Sequence, residues 1–122
     1  MSEGAPAGAP DTPVKPRLEE MVAKFNERAK TDDNLRETLK DMERTIQLDV
    51  SGEGSYHFFL KDYKIDGVKD GPTNDPQILV ATDKVTLVAI MDGELSPTRA
   101  YMSKKFKVKA TMLDLLVLRK LF

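Results

Sequence analysis

A chain of 122 residues is long enough to bury one hydrophobic core and too short for two. Its 19 basic and 20 acidic side chains leave a formal net charge of -1, which gives no support to nucleic-acid binding, and the absence of cysteine excludes disulfides, thiol catalysis and cysteine-ligated metal. No apolar run approaches the roughly 18 residues a membrane span needs, and no basic segment followed by an apolar one opens the chain, so the expectation is a soluble, cytoplasmic domain.

Residues 1–16, MSEGAPAGAPDTPVKP, carry proline, glycine and alanine with almost no large apolar side chain, a composition that predicts a disordered tail ahead of a folded domain over 17–122. Leu18, Met21, Val22, Phe25 and Ala29 then recur at helical spacing, with Glu19, Glu20, Lys24, Glu27 and Arg28 between them. Thr31-Asp32-Asp33 breaks that helix and caps a shorter one bearing Leu35, Leu39 and Met42. At Arg44 the period changes to two: Ile46, Leu48 and Val50 alternate with polar residues, Ser51-Gly52-Glu53-Gly54 turns, and Tyr56, Phe58 and Leu60 return, which predicts a hairpin. A third strand is expected within Tyr63–Val68, and Pro72 and Pro76 bound a loop. Gln77–Thr82 reads as a strand covered on both faces.

Thr82 and Asp83 offer caps to a helix through Met91 that is apolar almost all round, and Gly93 ends it. Ser96 and Pro97 open a short helix to Met102. KKFKVKA follows with Lys105, Lys107 and Lys109 on one face and Phe106, Val108 and Ala110 on the other, the pattern of a strand with one wet side. Thr111 with Asp114 makes a weakened capping box for a last helix whose apolar residues, Met112 through Phe122, surround its axis, so that core, a second subunit or an apolar ligand must cover it. The order predicts an α+β fold with a five-stranded, mostly antiparallel sheet covered by helices on one face.

Little in the chain points to reaction chemistry. His57 is the only histidine and falls on a strand, no G-x-S-x-G elbow surrounds a serine, and the glycines match neither a P-loop nor a dinucleotide fingerprint. Asp62, Asp66, Asp70 and Asp75 lack calcium-loop spacing and read as turn residues. No catalytic residue, metal or cofactor is expected. Lys104, Lys105, Lys107 and Lys109 suit both the protection of a sheet edge and an electrostatic landing site for an anionic membrane surface or acyl-thioester phosphates. On residues alone, the apolar surplus fits ordinary core plus a dimer interface, leaving monomer and homodimer open. The methionines, among them Met42, Met91, Met102 and Met112, favour an adaptable apolar surface.

The stretch from Val85 onward resembles the sterol carrier protein type 2 family of small lipid-binding domains. The likeness rests on the apolar helix Val85–Met91, the turn Asp92-Gly93-Glu94-Leu95-Ser96-Pro97 in the place of the family's G-x-x-x-P, the short helix Thr98–Met102, and the strand Lys105–Lys109 followed by a helix rich in Met and Leu; Thr111 stands near where a glycine is common. The resemblance implies an apolar tunnel between sheet and helices and a non-enzymatic carrier of a lipid: fatty acid, fatty acyl-CoA, phospholipid or sterol-like. The lining residues expected on this basis are Val88, Met91, Leu95, Met102, Phe106, Met112, Leu115, Leu116 and Leu118, with Phe25 and Phe58 from the first half. The alternative is a scaffold or obligate oligomer in which the last helix docks on a partner.

Overall fold

Val14, Leu18, Val22, Phe25 and Ala29 fall on one helix face, and in the computed structural model, which describes residues 13–122, all five are buried, four of them along α1 (Lys15–Thr31). The domain therefore starts earlier than composition suggests. Val14 is fully buried and its carbonyl accepts the Leu18 N–H at 2.9 Å, so Val14 to Pro16 are part of the fold; the tail expected over 1–12 lies outside the described residues. Asp32 ends α1 and caps α2 (Asp33–Leu39), accepting the Leu35 N–H at 3.0 Å. That hydrogen bond, with the Lys120 ammonium at 3.2 Å, holds the Asp32 carboxyl below its ordinary pKa.

The expected hairpin forms from β1 (Arg44–Ser51) and β2 (Gly54–Lys61), in a register that sets Ile46 opposite Phe58 and Leu48 opposite Tyr56. The inward side chains Ile46, Leu48, Val50, Tyr56, Phe58 and Leu60 are all buried, as the period of two requires. Beyond the hairpin the expectation needs correction. In place of one third strand, β2 pairs with two strands of two residues each, β3 (Lys64–Ile65) and β4 (Lys69–Asp70), so the sheet has six strands and not five. Asp66-Gly67 interrupts the pairing, and the Asp66 side chain accepts the Phe59 N–H at 2.8 Å in place of a strand partner. Asn26 of α1 completes β3, donating to the Ile65 carbonyl at 2.9 Å and accepting its N–H at 2.8 Å.

β5 (Ile78–Asp83) runs parallel to β1, and β6 (Phe106–Lys109) runs antiparallel to β5 at the sheet's end. β5 is not covered equally on both faces: Ile78, Val80 and Thr82 are buried while Leu79 and Ala81 are half-buried. The inward faces of the strands share one core cluster with Leu18, Phe25, Leu35, Leu87, Ala100 and Leu118 of the helices.

α3 (Lys84–Met91) starts with Asp83 accepting the Thr86 N–H at 2.7 Å, and α4 (Pro97–Met102) with Ser96 accepting the Arg99 N–H at 3.1 Å. The apolar girth of α3 is not wholly buried, since Val85 is 65% exposed. α5 (Met112–Leu121) carries the complete capping box, Asp114 N–H to Thr111 Oγ1 at 3.1 Å and Thr111 N–H to Asp114 Oδ2 at 3.2 Å. Its buried stripe is Asp114, Val117, Leu118 and Leu121, and the Asp114 carboxylate, 1% exposed, takes the Arg44 Nε–H at 2.9 Å. The acidic residue faces inward, and Met112, Leu113 and Leu116 face out.

Two outcomes follow for stability. A chain beginning at Lys15 is expected to unfold about 1.5 kcal/mol more easily in urea than one beginning at Pro13, the burial of one valine side chain; equal midpoints would remove Val14 from the core's account. Asp114→Ala, which deletes a cap and a partly buried ion pair together, is expected to cost about 2 to 3 kcal/mol. Asp114→Asn keeps an acceptor for the Thr111 N–H and is expected to recover part of that loss.

Candidate functional site

Space between the layers opens where α4 and α5 lie over β6. Gly93 takes a φ of +77°, a left-handed conformation that glycine tolerates, and so turns the chain from α3 toward α4. Lys104, at φ +64°, reverses it again so that β6 returns along β5 with Phe106 and Val108 pointing inward and Lys105, Lys107 and Lys109 exposed. A cavity of about 140 Å³ lies here, walled by Pro97 and Tyr101 from α4, Phe106 and Val108 from β6, and Leu115 and Leu118 from α5. Thr98, Arg119 and the Tyr101 hydroxyl are its polar groups among the described residues.

A second cavity of about 250 Å³ lies between α1, the end of α3 and the end of α5. Its apolar side is Met21, Phe25, Ile90, Met91, Leu121 and Phe122. Its polar side is cationic, with Arg17, Lys24, Arg28 and Lys120 against Glu20. Two of those cations are already engaged, Arg17 with Asp92 and Lys120 with Asp32, and Arg28 donates to the Lys120 carbonyl at 2.6 Å. Between the two cavities stand Phe106 and Phe122, edge to face at 82° with ring centroids 5.2 Å apart, one ring walling each cavity. A third space, about 470 Å³, is a groove between α2 and α5 with mainly polar walls, among them Asn34, Thr38, Arg119 and Lys120.

The expected lining residues separate into groups. Phe106, Leu115 and Leu118 meet around the apolar cavity, and Met91 lines the neighbouring one with Phe25. Leu116 borders the outer groove instead, because α5 is rotated about its axis so that Asp114 points in. Met102 and Met112 are 75% and 81% exposed, the first at the end of α4 and the second in the opening turn of α5. Val88 and Phe58 are buried, and Leu95 half-buried, in walls away from these cavities. Pro97, Tyr101, Val108 and Phe122 line the cavities without having been singled out. The inward alternation of Phe106 with Val108 was the signal that pointed to one of them.

The polar residues weighed for chemistry have structural partners. His57 Nδ1 lies 2.8 Å from the Gly71 carbonyl, and Asp62 and Asp75 hold left-handed turn conformations. Among the described residues no three His, Cys, Asp or Glu side chains gather as a metal site, and no helix is long and apolar enough to cross a membrane.

Comparison with known proteins agrees with this architecture. Among solved structures, a UbiJ-SCP2 ubiquinone synthesis protein superposes with a TM-score of 0.64 at 15% identity, covering 88% of this chain and 91% of that one. Palmitated SCP2L2 from Aedes aegypti superposes with a TM-score of 0.57 at 19% identity over 84% of this chain and 90% of that one. At such identities the likeness is one of fold. In sequence the chain is similar to hydroxysteroid dehydrogenase-like protein 2 of Xenopus laevis, 33% identical in an alignment of 93 residues, with 64% of this chain and only 22% of that protein's length covered. The model of the SCP-2 sterol transfer family matches residues 22–122, and the chain belongs to that family.

Proposed function

We propose that the chain is a non-enzymatic carrier that shelters a hydrophobic molecule between β6, α4 and α5, with a fatty acid or the acyl chain of a fatty acyl-CoA as the preferred ligand and phospholipids or sterol-like lipids within its range. The observation that carries this reading is the apolar cavity and, next to it, a second, partly apolar one, with Phe106 of the first in edge-to-face contact with Phe122 of the second. Family membership supports the carrier, and the palmitated relative from Aedes aegypti supports the acyl chain. The apolar space also disfavours the scaffold reading, which requires a filled core.

Size decides how such a ligand would sit. The apolar cavity alone, about 140 Å³, falls below the roughly 300 to 1,000 Å³ usual for ligand pockets, whereas the two joined offer on the order of 400 Å³. Joining them means parting Phe106 from Phe122, an edge-to-face contact worth about 0.5 to 1.5 kcal/mol. Each methylene moved out of water returns about 0.8 kcal/mol, so the burial of two more carbons offsets the lost contact. The carrier thus takes long chains better than short ones. Few directional groups face the apolar cavity, so there selectivity follows chain length, while the cationic side of the second cavity would meet an anionic headgroup.

Titration of the delipidated protein with a fluorescent fatty acid tests this. Leu115→Trp is expected to fill the apolar cavity and abolish saturable uptake, at less than the roughly 1 to 3 kcal/mol that overpacking a closed core costs. Leu116→Trp, on the outer groove, is expected to leave uptake intact. Phe122→Ala is expected to tighten binding by up to about tenfold, the free energy of the ring contact. No uptake of any acyl chain at micromolar concentration by the unmodified protein would end the carrier reading.

A further inference from the structure

We infer that the free edge of β6 is a docking site for an acidic polypeptide segment, which adds to the sheet there as a further strand; the inference is independent of what the cavities hold. β6 is the last strand on its side of the sheet, paired with β5 along one edge only. Every second residue of a strand turns its N–H and C=O to the same side, so half of the backbone groups of β6 point away from β5. Among the described residues no backbone hydrogen bond outside the pairing with β5 reaches Phe106 to Lys109, and the bond from Thr82 Oγ1 to the Lys105 carbonyl, at 2.8 Å, falls just before the strand. The opposite edge is closed. There Asn26 of α1 takes both backbone groups of Ile65, and the charges of β4 are paired, Asp70 with Lys15 and Lys69 with Asp66.

Charge decides what can add to β6. Phe106 and Val108 face the helices, so Lys107 and Lys109, opposite Ala81 and Leu79, stand on the other face of the sheet, with Lys105 preceding them in the same alternation. All three are exposed, and none pairs with a carboxylate among the described residues, whereas Lys15, Lys30, Lys69, Lys84 and Lys120 each do. Their neighbours on β5, Leu79 and Ala81, are half-buried and uncharged. Beyond these, Asp49 of β1, opposite Ala81, is engaged by neutral donors, Gln47 Nε2 at 2.9 Å and Ser55 Oγ at 2.7 Å. A row of cations without counter-charge therefore runs along an open edge, on one face only.

Lysines on an edge oppose indiscriminate strand addition, and that opposition is selective. A second copy of β6 would set lysine against lysine, so the occupant is not this chain itself. An uncharged strand gains backbone hydrogen bonds alone. A strand with Glu or Asp at alternate positions gains those bonds and a cross-strand partner for each lysine as well. The residues between the acidic ones would fall on the side of Val108, which is half-buried and walls the apolar cavity, so apolar side chains suit those positions. The segment recognised is thus extended and alternates acidic with apolar residues over the four residues of β6. The same lysines that turn other strands away select this one.

The test is titration of the whole, isotope-labelled chain with a capped peptide in which glutamate and valine alternate over about seven residues, a little more than the strand it must cover. Saturable binding is expected, with amide shifts and slowed hydrogen exchange centred on β6. A peptide of the same composition with its glutamates grouped is expected to bind about tenfold more weakly, and one N-methylated throughout, which keeps the charges and loses the donors, is expected not to bind. Lys105→Glu with Lys107→Glu and Lys109→Glu is expected to lose the glutamate peptide and to take up a lysine and valine peptide of the same length in its place. The corresponding triple change to Gln is expected to weaken binding of the glutamate peptide without creating the new preference. These lysines lie outside the cavities, so fatty-acid uptake should be the same in every variant. Equal affinity for the grouped or the N-methylated peptide would make the lysines a general polyanion patch and overturns the inference. Binding that leaves the β6 amides unprotected overturns it too, as does no binding at millimolar peptide, the outcome expected if the lysines only protect the edge.

Discussion

The buried contact between Asp114 and Arg44 fixes how the last helix lies on the sheet. With its carboxylate drawn inward to β1 and into the capping box, α5 has no freedom to roll, and Val117, Leu118 and Leu121 are placed on the core side by the helical repeat. Everything else at this end of the domain follows from that rotation. Leu115 and Leu118 come over Phe106, Phe122 is brought edge-on to the same ring, and Met112, Leu113 and Leu116 are left facing water. A carboxylate that is 1% exposed would be a liability without a partner; here the Arg44 Nε–H and the Thr111 N–H both donate to it, and no buried side-chain polar atom among the described residues lacks a partner.

Much of the fold was legible because local and global signals agree. The Ile46, Leu48, Val50 alternation and the glycine-bearing turn before Tyr56 specify a hairpin without help from distant residues, and β6 announces its inward face through Phe106 and Val108. Caps at Asp32, Asp83, Ser96 and Thr111 stand where their side-chain chemistry places them. The failures have one source, residues whose burial is decided by distant partners. Val14 sits in a proline-rich stretch and is buried because α1 extends back to it. Asp114 reads as half of a capping box on a helix apolar all round, with nothing to turn it inward, so the phase of α5 was invisible, and with it the fates of Met112 and Leu116. β3 pairs with β2 over two residues only, and Asn26, 39 residues before Ile65, supplies the hydrogen bonds on its other side.

The interior between β6 and α5 shows what the carrier reading demands of packing. A close-packed core resists insertion, since extra volume forces side chains off their rotamers. The Phe106 and Phe122 rings form a boundary of another kind, held by one contact of about a kilocalorie and flanked by space on each side. Such a contact resists rearrangement far less than a close-packed core does.

The same economy bears on release. A ligand bound only through apolar area leaves water with difficulty, because each methylene exposed on the way out raises the barrier by about 0.8 kcal/mol. An apolar surface beside the exit lowers that barrier, because the departing chain then exposes fewer methylenes to water at once. In this chain one exposed side chain of α4, Tyr101, also walls the apolar cavity. The rotation of α5 imposed by Asp114 thus has two effects at once. It lays Leu115 and Leu118 against the apolar cavity, and it leaves Met112 and Leu113 facing water.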